Sequence, residues 1–326
     1  MALPATLVVV AWGALGLLLV EIGLKFPFSS LRKIGHFIAL LSFGRFFMAN
    51  IDTAGHSFGI SHRLLIGAPL FLLYCHLFYR CADESESALS NSSERTFIRV
   101  YLYLPVLLLV ALCRFKLGRG MTTPAWGILS IVLQILGNKL QLVDLRRQSV
   151  ILAGIAVAHG WGTDLKSLDQ GSFISERWVI GLTTIASLYI CQAMAPRESL
   201  TRVHDFEREP TGIGYYLEER GRIIYSIGGS FLLAFLLYLE VSGSLLSLGW
   251  AVQGVVLLLI GFYFRDKSLR YFGLVLFLVC ILKLFFYDLR NLEVPFRILS
   301  FIILGLILMG ISWFYTRYQE KIKEYL

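Results

Sequence analysis

Residues Trp12 to Asp52 read WGALGLLLVEIGLKFPFSSLRKIGHFIALLSFGRFFMANID. This stretch holds two apolar runs on either side of a short basic segment that contains Arg32 and Lys33. A helix of about twenty apolar residues is long enough to cross the hydrocarbon core of a bilayer, which is about 30 Å thick. The stretch therefore predicts two membrane-spanning helices joined by a tight turn.

Apolar runs of similar length recur along the whole chain, and we predict about eleven spans. Composition agrees, because 56% of the 326 residues are hydrophobic and only 16% are charged, whereas soluble domains carry about 25% charged residues. We place the spans at 5–26, 34–50, 63–80, 97–114, 121–139, 148–165, 178–195, 222–240, 245–264, 271–288 and 297–316.

The distribution of Lys and Arg predicts how the chain is oriented. With the N-terminus outside, the cytoplasmic segments hold 20 of the 30 basic residues, the external segments hold 8, and Arg45 and Lys283 lie inside spans. Cytoplasmic loops are normally the more basic ones, so we expect the N-terminus outside and the C-terminus in the cytoplasm. The net charge of +8 comes from basic residues set singly between apolar runs, which argues against nucleic acid as a partner.

The opening stretch recurs near the end of the chain. From Trp250 the sequence reads WAVQGVVLLLIGFYFRDKSLRYFGLVLFLVCILKLFFYDLR, and 12 of the 41 aligned positions are identical. A weaker copy begins at Trp126, in which Gly137 matches Gly23 and Arg146 matches Arg32.

These copies predict a tandem repeat of four helices. The units are approximately 1–117, 118–240 and 241–326, and the last is cut to three helices. An even number of helices per unit gives all copies the same orientation, so the repeats are parallel. The predicted fold is an all-α polytopic bundle forming a single membrane domain over residues 1–326.

Ionisable residues inside predicted spans are the main candidates for function. The alignment places a basic side chain at one position of each copy, Arg45, His159 and Lys283, and a carboxylate or amide five residues later. These acidic or amide residues are Asn50, Asp164 and Asp288.

Two interpretations of these positions stay open. The basic side chains can extend to the outer head groups while the Asp or Asn residues end the helices in water. Alternatively, the positions form convergent sites for an anionic group such as a lipid phosphate or an acidic glycan, to which the external residues Arg63, Arg177 and Arg297 also contribute.

Other polar residues suggest no chemistry. Glu21 precedes Lys25 by four residues, so we expect an ion pair between them. His36 and His76 could ligate a haem or chlorophyll, but packing is the expected role because neither has a partner at cofactor spacing. We find no catalytic motif, no metal-ligand spacing among the five cysteines, and no pattern that calls for a cofactor.

The last third of the chain resembles a bacterial family of predicted membrane proteins catalogued as domain of unknown function 2339. The resemblance rests on Trp250-x-x-x-Gly254, Ser268-Leu269-Arg270-x-x-Gly273, Lys283-x-x-x-x-Asp288-Leu289, Phe296 to Phe301 and Tyr315-x-Arg317-Tyr318. It implies a location in the bacterial inner membrane, and it supplies no activity.

Three classes of function follow from these features. The first is a scaffold or accessory subunit of a membrane complex, because loops are short and no catalytic chemistry is evident. The second is a transporter or a protein that handles lipid or anionic glycan, with a site between repeats. The third is an enzyme for a lipid-linked substrate, which the sequence favours least. Expected partners are membrane lipids and other membrane subunits.

Overall fold

The computed structural model describes residues 8–26, 28–50, 56–57, 60–84, 92–118, 120–165, 176–195, 220–241 and 243–283, together with residues 298, 302, 305, 306, 309 and 313. The chain divides into two compact units, residues 1–149 and 150–326.

Nearly all of the described chain is α-helical. Its ten α-helices are α1 (Val8–Lys25), α2 (Ser29–Arg45), α3 (His62–Glu84), α4 (Ser92–Lys116), α5 (Thr122–Lys139), α6 (Val143–His159), α7 (Glu176–Met194), α8 (Gly221–Glu240), α9 (Gly243–Tyr263) and α10 (Lys267–Lys283). Two π-helical turns, π1 (Phe46–Asn50) and π2 (Gly160–Asp164), continue α2 and α6. A two-residue antiparallel ladder pairs His56–Ser57 with Ile60–Ser61.

Five of the described helices, α1, α3, α4, α8 and α9, are long and apolar enough to cross a membrane. Only 22–39% of the residues in their most apolar windows are buried, so most of their apolar side chains face outward. In water, outward faces of this size would promote aggregation. This is the pattern of a membrane protein. The first ten predicted spans each overlap one of the helices α1 to α10, and the eleventh, 297–316, lies largely outside the described residues.

In the first unit, α1 and α2 pack through small residues. A Cβ atom on Gly16 would lie 2.8 Å from the backbone nitrogen of Ala39 and 3.0 Å from the carbonyl oxygen of Gly35. One helix backbone therefore rests directly on the other. Nearer the turn, a Cβ atom on Gly23 would lie 2.5 Å from Cγ of Arg32, so the stem of the arginine occupies the space that a side chain would need.

The same contact recurs in two later hairpins. A Cβ atom on Gly137 of α5 would lie 2.7 Å from Cγ of Arg146 in α6. A Cβ atom on Gly261 of α9 would lie at the same distance from Cγ of Arg270 in α10. The α9–α10 crossing also uses two glycines, since a Cβ on Gly273 would lie 3.0 Å from the carbonyl oxygen of Gly254. In α5–α6 the matching residues are serines, and Ser149 Oγ donates to the carbonyl oxygen of Ser130 at 2.7 Å.

The turns of the two later hairpins are also alike. Gln141 and Arg265 both adopt left-handed backbone, with φ of 55° and 54°. In each turn the next amide donates back to the glycine that faces the arginine, from Leu142 to Gly137 at 3.1 Å and from Asp266 to Gly261 at 2.9 Å. The helices α2, α6 and α10 that follow the turns have 17 residues each.

The core of the first unit contains a buried polar network. Nδ1 of His36 lies 2.7 Å from the hydroxyl of Tyr101, and the His36 ring stacks on Phe97 at 4.5 Å. The hydroxyl of Tyr74 donates to the carbonyl oxygen of Ala39 at 3.1 Å. His36 is thus a packing residue in this core, as the sequence indicated.

The prediction of an ion pair between Glu21 and Lys25 was wrong. Glu21 instead accepts two hydrogen bonds from Arg80 of α3, at 3.0 and 3.1 Å, and one from His76 at 3.1 Å. A planar guanidinium matches both carboxylate oxygens at once, whereas Lys25 offers a single point charge at the end of the same helix. The pair therefore ties α1 to α3.

The α1–α2 crossing gives a stability prediction. We expect Gly16→Ala to lower the free energy of unfolding by about 1–3 kcal/mol, because the new methyl group overlaps the backbone of α2. Gly44→Ala is the matched control, since a Cβ there would meet nothing within 4 Å. Thermal unfolding in detergent measures both, and equal midpoints for the two variants would contradict the close crossing.

Candidate functional site

Arg63 and Arg177, predicted as external anion contacts, bind the ends of neighbouring helices. Nη1 of Arg63 donates to the carbonyl oxygen of Phe115 at 2.7 Å, one residue before α4 ends. Nη1 of Arg177 lies 3.2 Å from Oε1 of Glu240, the last residue of α8. A cation at a helix C-terminus is stabilised by the helix dipole, so each arginine has a structural role at that end.

The three aligned basic residues each end a helix. The guanidinium of Arg45 lies 4.9 Å from the ring centre of Trp12. Nζ of Lys283 donates to Oγ of Ser247 at 2.7 Å, which ties α10 to α9. His159 is the last residue of α6 and is partly exposed.

Each basic residue is followed five positions later by an Asn or Asp, and two of these three residues are described. Asn50 ends π1 and Asp164 ends π2, whereas Asp288 and Arg297 lie outside the described residues. A π turn holds more residues than an α turn, so it brings residues five apart closer to one face of the helix. The anion-binding hypothesis for this set stays a prediction.

A polar cluster that the sequence did not single out lies at the turn between α9 and α10. Oδ2 of Asp266 accepts hydrogen bonds from Nε2 of Gln192 at 2.8 Å and from Nε of Arg222 at 3.0 Å. Its Oδ1 accepts from the backbone amide of Ser268 at 3.0 Å, which makes Asp266 the N-cap of α10. One carboxylate thus joins α7, α8 and α10.

The charge state of Asp266 follows from these contacts. Burial alone would raise the pKa of this carboxyl, since its side chain is only 4% exposed. The hydrogen bonds from Arg222 and Gln192 and the positive charge of Arg222 outweigh burial, so the pKa lies below its usual value. Asp266 is therefore ionised at neutral pH.

The Asp266 cluster lies at one end of a cavity of about 870 Å³ within the second unit. Among the described residues the cavity is bordered by α7, α8, α9 and α10, and twelve of the seventeen that line it are apolar. Along α9 they follow a single helix face from Leu245 to Ile260, about four turns. The polar lining residues are Tyr189, Gln192, Arg222, Gln253 and Asp266.

Two of these polar residues form a second group away from the Asp266 end. The Tyr189 hydroxyl and Oγ of Ser230 lie 2.9 Å apart, and Nε2 of Gln253 donates to the carbonyl oxygen of Ser230 at 2.8 Å. Sequence reasoning missed this group because each residue is a lone polar position on a different helix. Across the described residues, no set of three His, Cys, Asp or Glu side chains is arranged to hold a metal ion.

A family model described as "Predicted membrane protein (DUF2339)" matches residues 5–318. No curated protein and no solved structure matches the chain.

The Asp266 cluster predicts a specific response to acid. We expect Asp266→Asn to lower the free energy of unfolding by about 1.5–3 kcal/mol at pH 7, the contribution typical of hydrogen bonds to a charged group. Because the folded-state pKa is the lower one, this contribution is present above the unfolded-state value near 3.8 and is lost as pH falls through the folded-state value. The difference in thermal stability between wild type and variant should thus narrow as pH is lowered from about 5 through the folded-state pKa.

Asp144→Asn is the control, because Asp144 is partly exposed and, among the described residues, contacts Arg147 of its own helix and Tyr103 of α4. It should change stability by less than about 1 kcal/mol. A constant gap between wild type and Asp266→Asn across this pH range would contradict the assignment.

The anion hypothesis at the opposite helix ends has its own test. If Lys283 binds an anionic lipid, Lys283→Met lowers co-purification of that lipid and leaves protein yield intact. Ser247→Ala is the matched control, since it removes only the acceptor of the Lys283 hydrogen bond. Native mass spectrometry measures the bound lipid, and an unchanged lipid profile in Lys283→Met rejects the hypothesis.

Proposed function

The chain belongs to the DUF2339 family of predicted membrane proteins, and from the geometry of its second unit we propose that it binds an acyl-chain amphiphile with an anionic head in the cavity there. One observation carries this proposal. The cavity joins a long apolar wall to a polar end at Arg222 and Asp266, and an amphiphile has the same division. The predicted role as a lipid-handling protein is thereby favoured over the other classes.

The apolar wall has the dimensions of a lipid tail. The face of α9 from Leu245 to Ile260 covers sixteen residues, or roughly 22 Å of helix. One leaflet of the hydrocarbon core is about 15 Å deep, so an extended acyl chain fits along this face. Aliphatic residues such as Leu233, Leu237 and Val256 would bury it.

The polar end favours an anionic head. Within the described part of the chain, Arg222 holds Asp266 through Nε alone, which leaves the terminal nitrogens of the guanidinium for carboxylate or phosphate oxygens. Arg220, Arg265, Lys267 and Arg270 add four positive charges near the same helix ends. The shared chemistry is an anionic oxygen group on an acyl chain, in a fatty acid or a phospholipid.

We also propose that the protein lies in the bacterial inner membrane with its N-terminus outside and its C-terminus in the cytoplasm. The excess of basic residues in the predicted cytoplasmic segments supports this orientation. The Asp266 end of the cavity would then face the cytoplasmic leaflet. That leaflet carries the negative lipids for which a basic cavity entrance is suited.

The tandem repeat remains part of the proposal, with units at 1–117, 118–240 and 241–326 and eleven spans. Its support is the recurrence of the glycine–arginine contact at Gly23, Gly137 and Gly261. The equal lengths of α2, α6 and α10 add to it. In these terms the cavity lies where the second and third repeats meet, a usual place for sites in repeat-built membrane proteins.

A scaffold or accessory-subunit role is the second candidate. It is favoured by exposed aromatic side chains around the α9–α10 turn, among them Phe262, Tyr263 and Tyr271. Aromatic residues are enriched in protein interfaces, so this group could contact another membrane subunit. Gentle extraction that yields a reproducible protein partner and no bound amphiphile would favour this role.

Filling the cavity should block binding. Gly249 lines the cavity, and a Cβ there would have its nearest neighbour, Leu237, at 3.8 Å, so Gly249→Phe places a ring in the space. If the ring displaces only two methylene groups of the acyl chain from the cavity, the lost burial free energy of about 0.8 kcal/mol each weakens binding about tenfold. Stearate occupancy, measured by native mass spectrometry over a concentration series, provides the test.

The control variant is Gly154→Phe on α6, where a Cβ would meet nothing within 4 Å and which does not line the cavity. It should bind stearate as the wild type does. Equal binding by Gly249→Phe and the wild type would overturn the proposal. A phosphate-headed lysolipid in the same assay separates a phospholipid from a fatty acid as the preferred ligand.

A further inference from the structure

Two of the tryptophans that open the proposed repeat units make the same hydrogen bond. Nε1 of Trp126 in α5 donates to the backbone carbonyl oxygen of Val110 in α4 at 3.1 Å. Nε1 of Trp250 in α9 donates to the backbone carbonyl oxygen of Ala234 in α8 at 2.9 Å. In both cases the acceptor lies sixteen residues before the tryptophan. The first helix of one unit is thereby joined to the last helix of the unit before it.

The two acceptors also occupy the same place on their helices. Val110 lies six residues before the end of α4 at Lys116, and Ala234 lies six residues before the end of α8 at Glu240. This distance is roughly 9 Å of helix. Both acceptor residues have short aliphatic side chains, which let the indole nitrogen reach the helix backbone. Because consecutive spans run in opposite directions, each tryptophan contacts a helix antiparallel to its own.

Trp12, the first tryptophan of the series, makes no hydrogen bond of this kind in the described part of the chain. It is 38% exposed, whereas Trp126 is 6% exposed. The guanidinium of Arg45 lies 4.9 Å from the centre of the Trp12 ring, but arginine has only donors and cannot accept the indole N–H. The contact that Trp126 and Trp250 make is therefore open at Trp12.

Lipid does not supply the missing acceptor at this depth. With the predicted span beginning at residue 5, Trp12 lies roughly 10 Å below the outer edge of the hydrocarbon core. Tryptophans of an aromatic belt lie higher, at the level of the head groups, and a polar group without a partner in hydrocarbon is costly. The depth matches the distance of Val110 and Ala234 from the ends of their helices.

An exposed apolar stripe of α1 borders Trp12. Its members are Leu15, Leu18 and Ile22, which recur at helical spacing and are 37–53% exposed. Such a stripe alone selects no partner in a membrane, because lipid tails cover it as well as a helix does. The indole N–H of Trp12 adds the hydrogen bond that a helix can satisfy and a lipid tail cannot.

We propose that Trp12 binds a membrane-spanning helix of another protein subunit, antiparallel to α1, and donates its indole N–H to a backbone carbonyl of that helix. The partner has the chemistry of α4 and α8. It is an apolar helix with a short aliphatic residue at the acceptor position, roughly 9 Å from its C-terminal end. The contact continues the one made twice within the chain, and it is independent of the ligand proposed for the cavity.

A synthetic peptide with the sequence of residues 220–241 is the probe, because it contains α8, which already accepts a hydrogen bond from Trp250. We expect it to bind to the full-length wild type in detergent micelles. Trp12→Phe keeps an aromatic ring beside Arg45 and removes the donor, so it should weaken binding about fivefold, a change typical of one neutral hydrogen bond. Native mass spectrometry over a peptide concentration series gives the affinities, and an unchanged thermal midpoint shows that the variant is folded.

Trp161→Phe is the matched control, since Trp161 of π2 is also well exposed, at 47%. It should bind the peptide as the wild type does. Trp161 contacts Phe231 of α8, so weaker binding by this variant would mean that the peptide replaces the chain's own α8, which overturns the proposal. Absence of peptide binding to the wild type, or equal binding by Trp12→Phe, would also overturn it. A wild-type dimer that Trp12→Phe dissociates would instead assign the surface to a second copy of this chain.

Discussion

The rest of the structure depends on close contact between helix backbones at small residues. In lipid, burial of apolar surface does not drive helices together, and association relies on packing and hydrogen bonds. The chain meets this constraint with glycines that let backbones touch, as where Gly16 meets Ala39 and Gly254 meets Gly273. A second glycine near each turn, such as Gly261, accommodates the stem of an arginine. Each hairpin is thereby fixed at two points, its crossing and its turn.

This way of packing also explains why a cavity can lie beside α9. The side of α9 that carries Gly254 and Gly261 packs on α10, whereas the side from Leu245 to Ile260 borders the cavity. Polar contacts connect the surrounding helices at two levels, at Asp266 and at Gln253. These contacts hold the walls in place while the apolar surface between them remains available to a ligand chain.

Sequence reasoning predicted the helices better than it predicted the site. Runs of apolar residues predicted the ten described α-helices to within about six residues at either end, because hydropathy reports directly on what lipid tolerates. The predicted ion pair of Glu21 with Lys25 was wrong, because the partner, Arg80, lies 59 positions away on another helix. Spacing along one helix says nothing about contacts with a neighbouring helix. The cavity could not be predicted for the same reason. Asp266 is one loop carboxylate in the sequence, and its meaning depends on Gln192 and Arg222, which only the fold brings to it.

The most direct test of the ligand-binding cavity is a cryo-electron microscopy structure of the protein in nanodiscs made from its native lipids. We expect an elongated density along α9, with its head within hydrogen-bonding distance of Arg222. A cavity closed by protein side chains, with no density between α8 and α9, would contradict it.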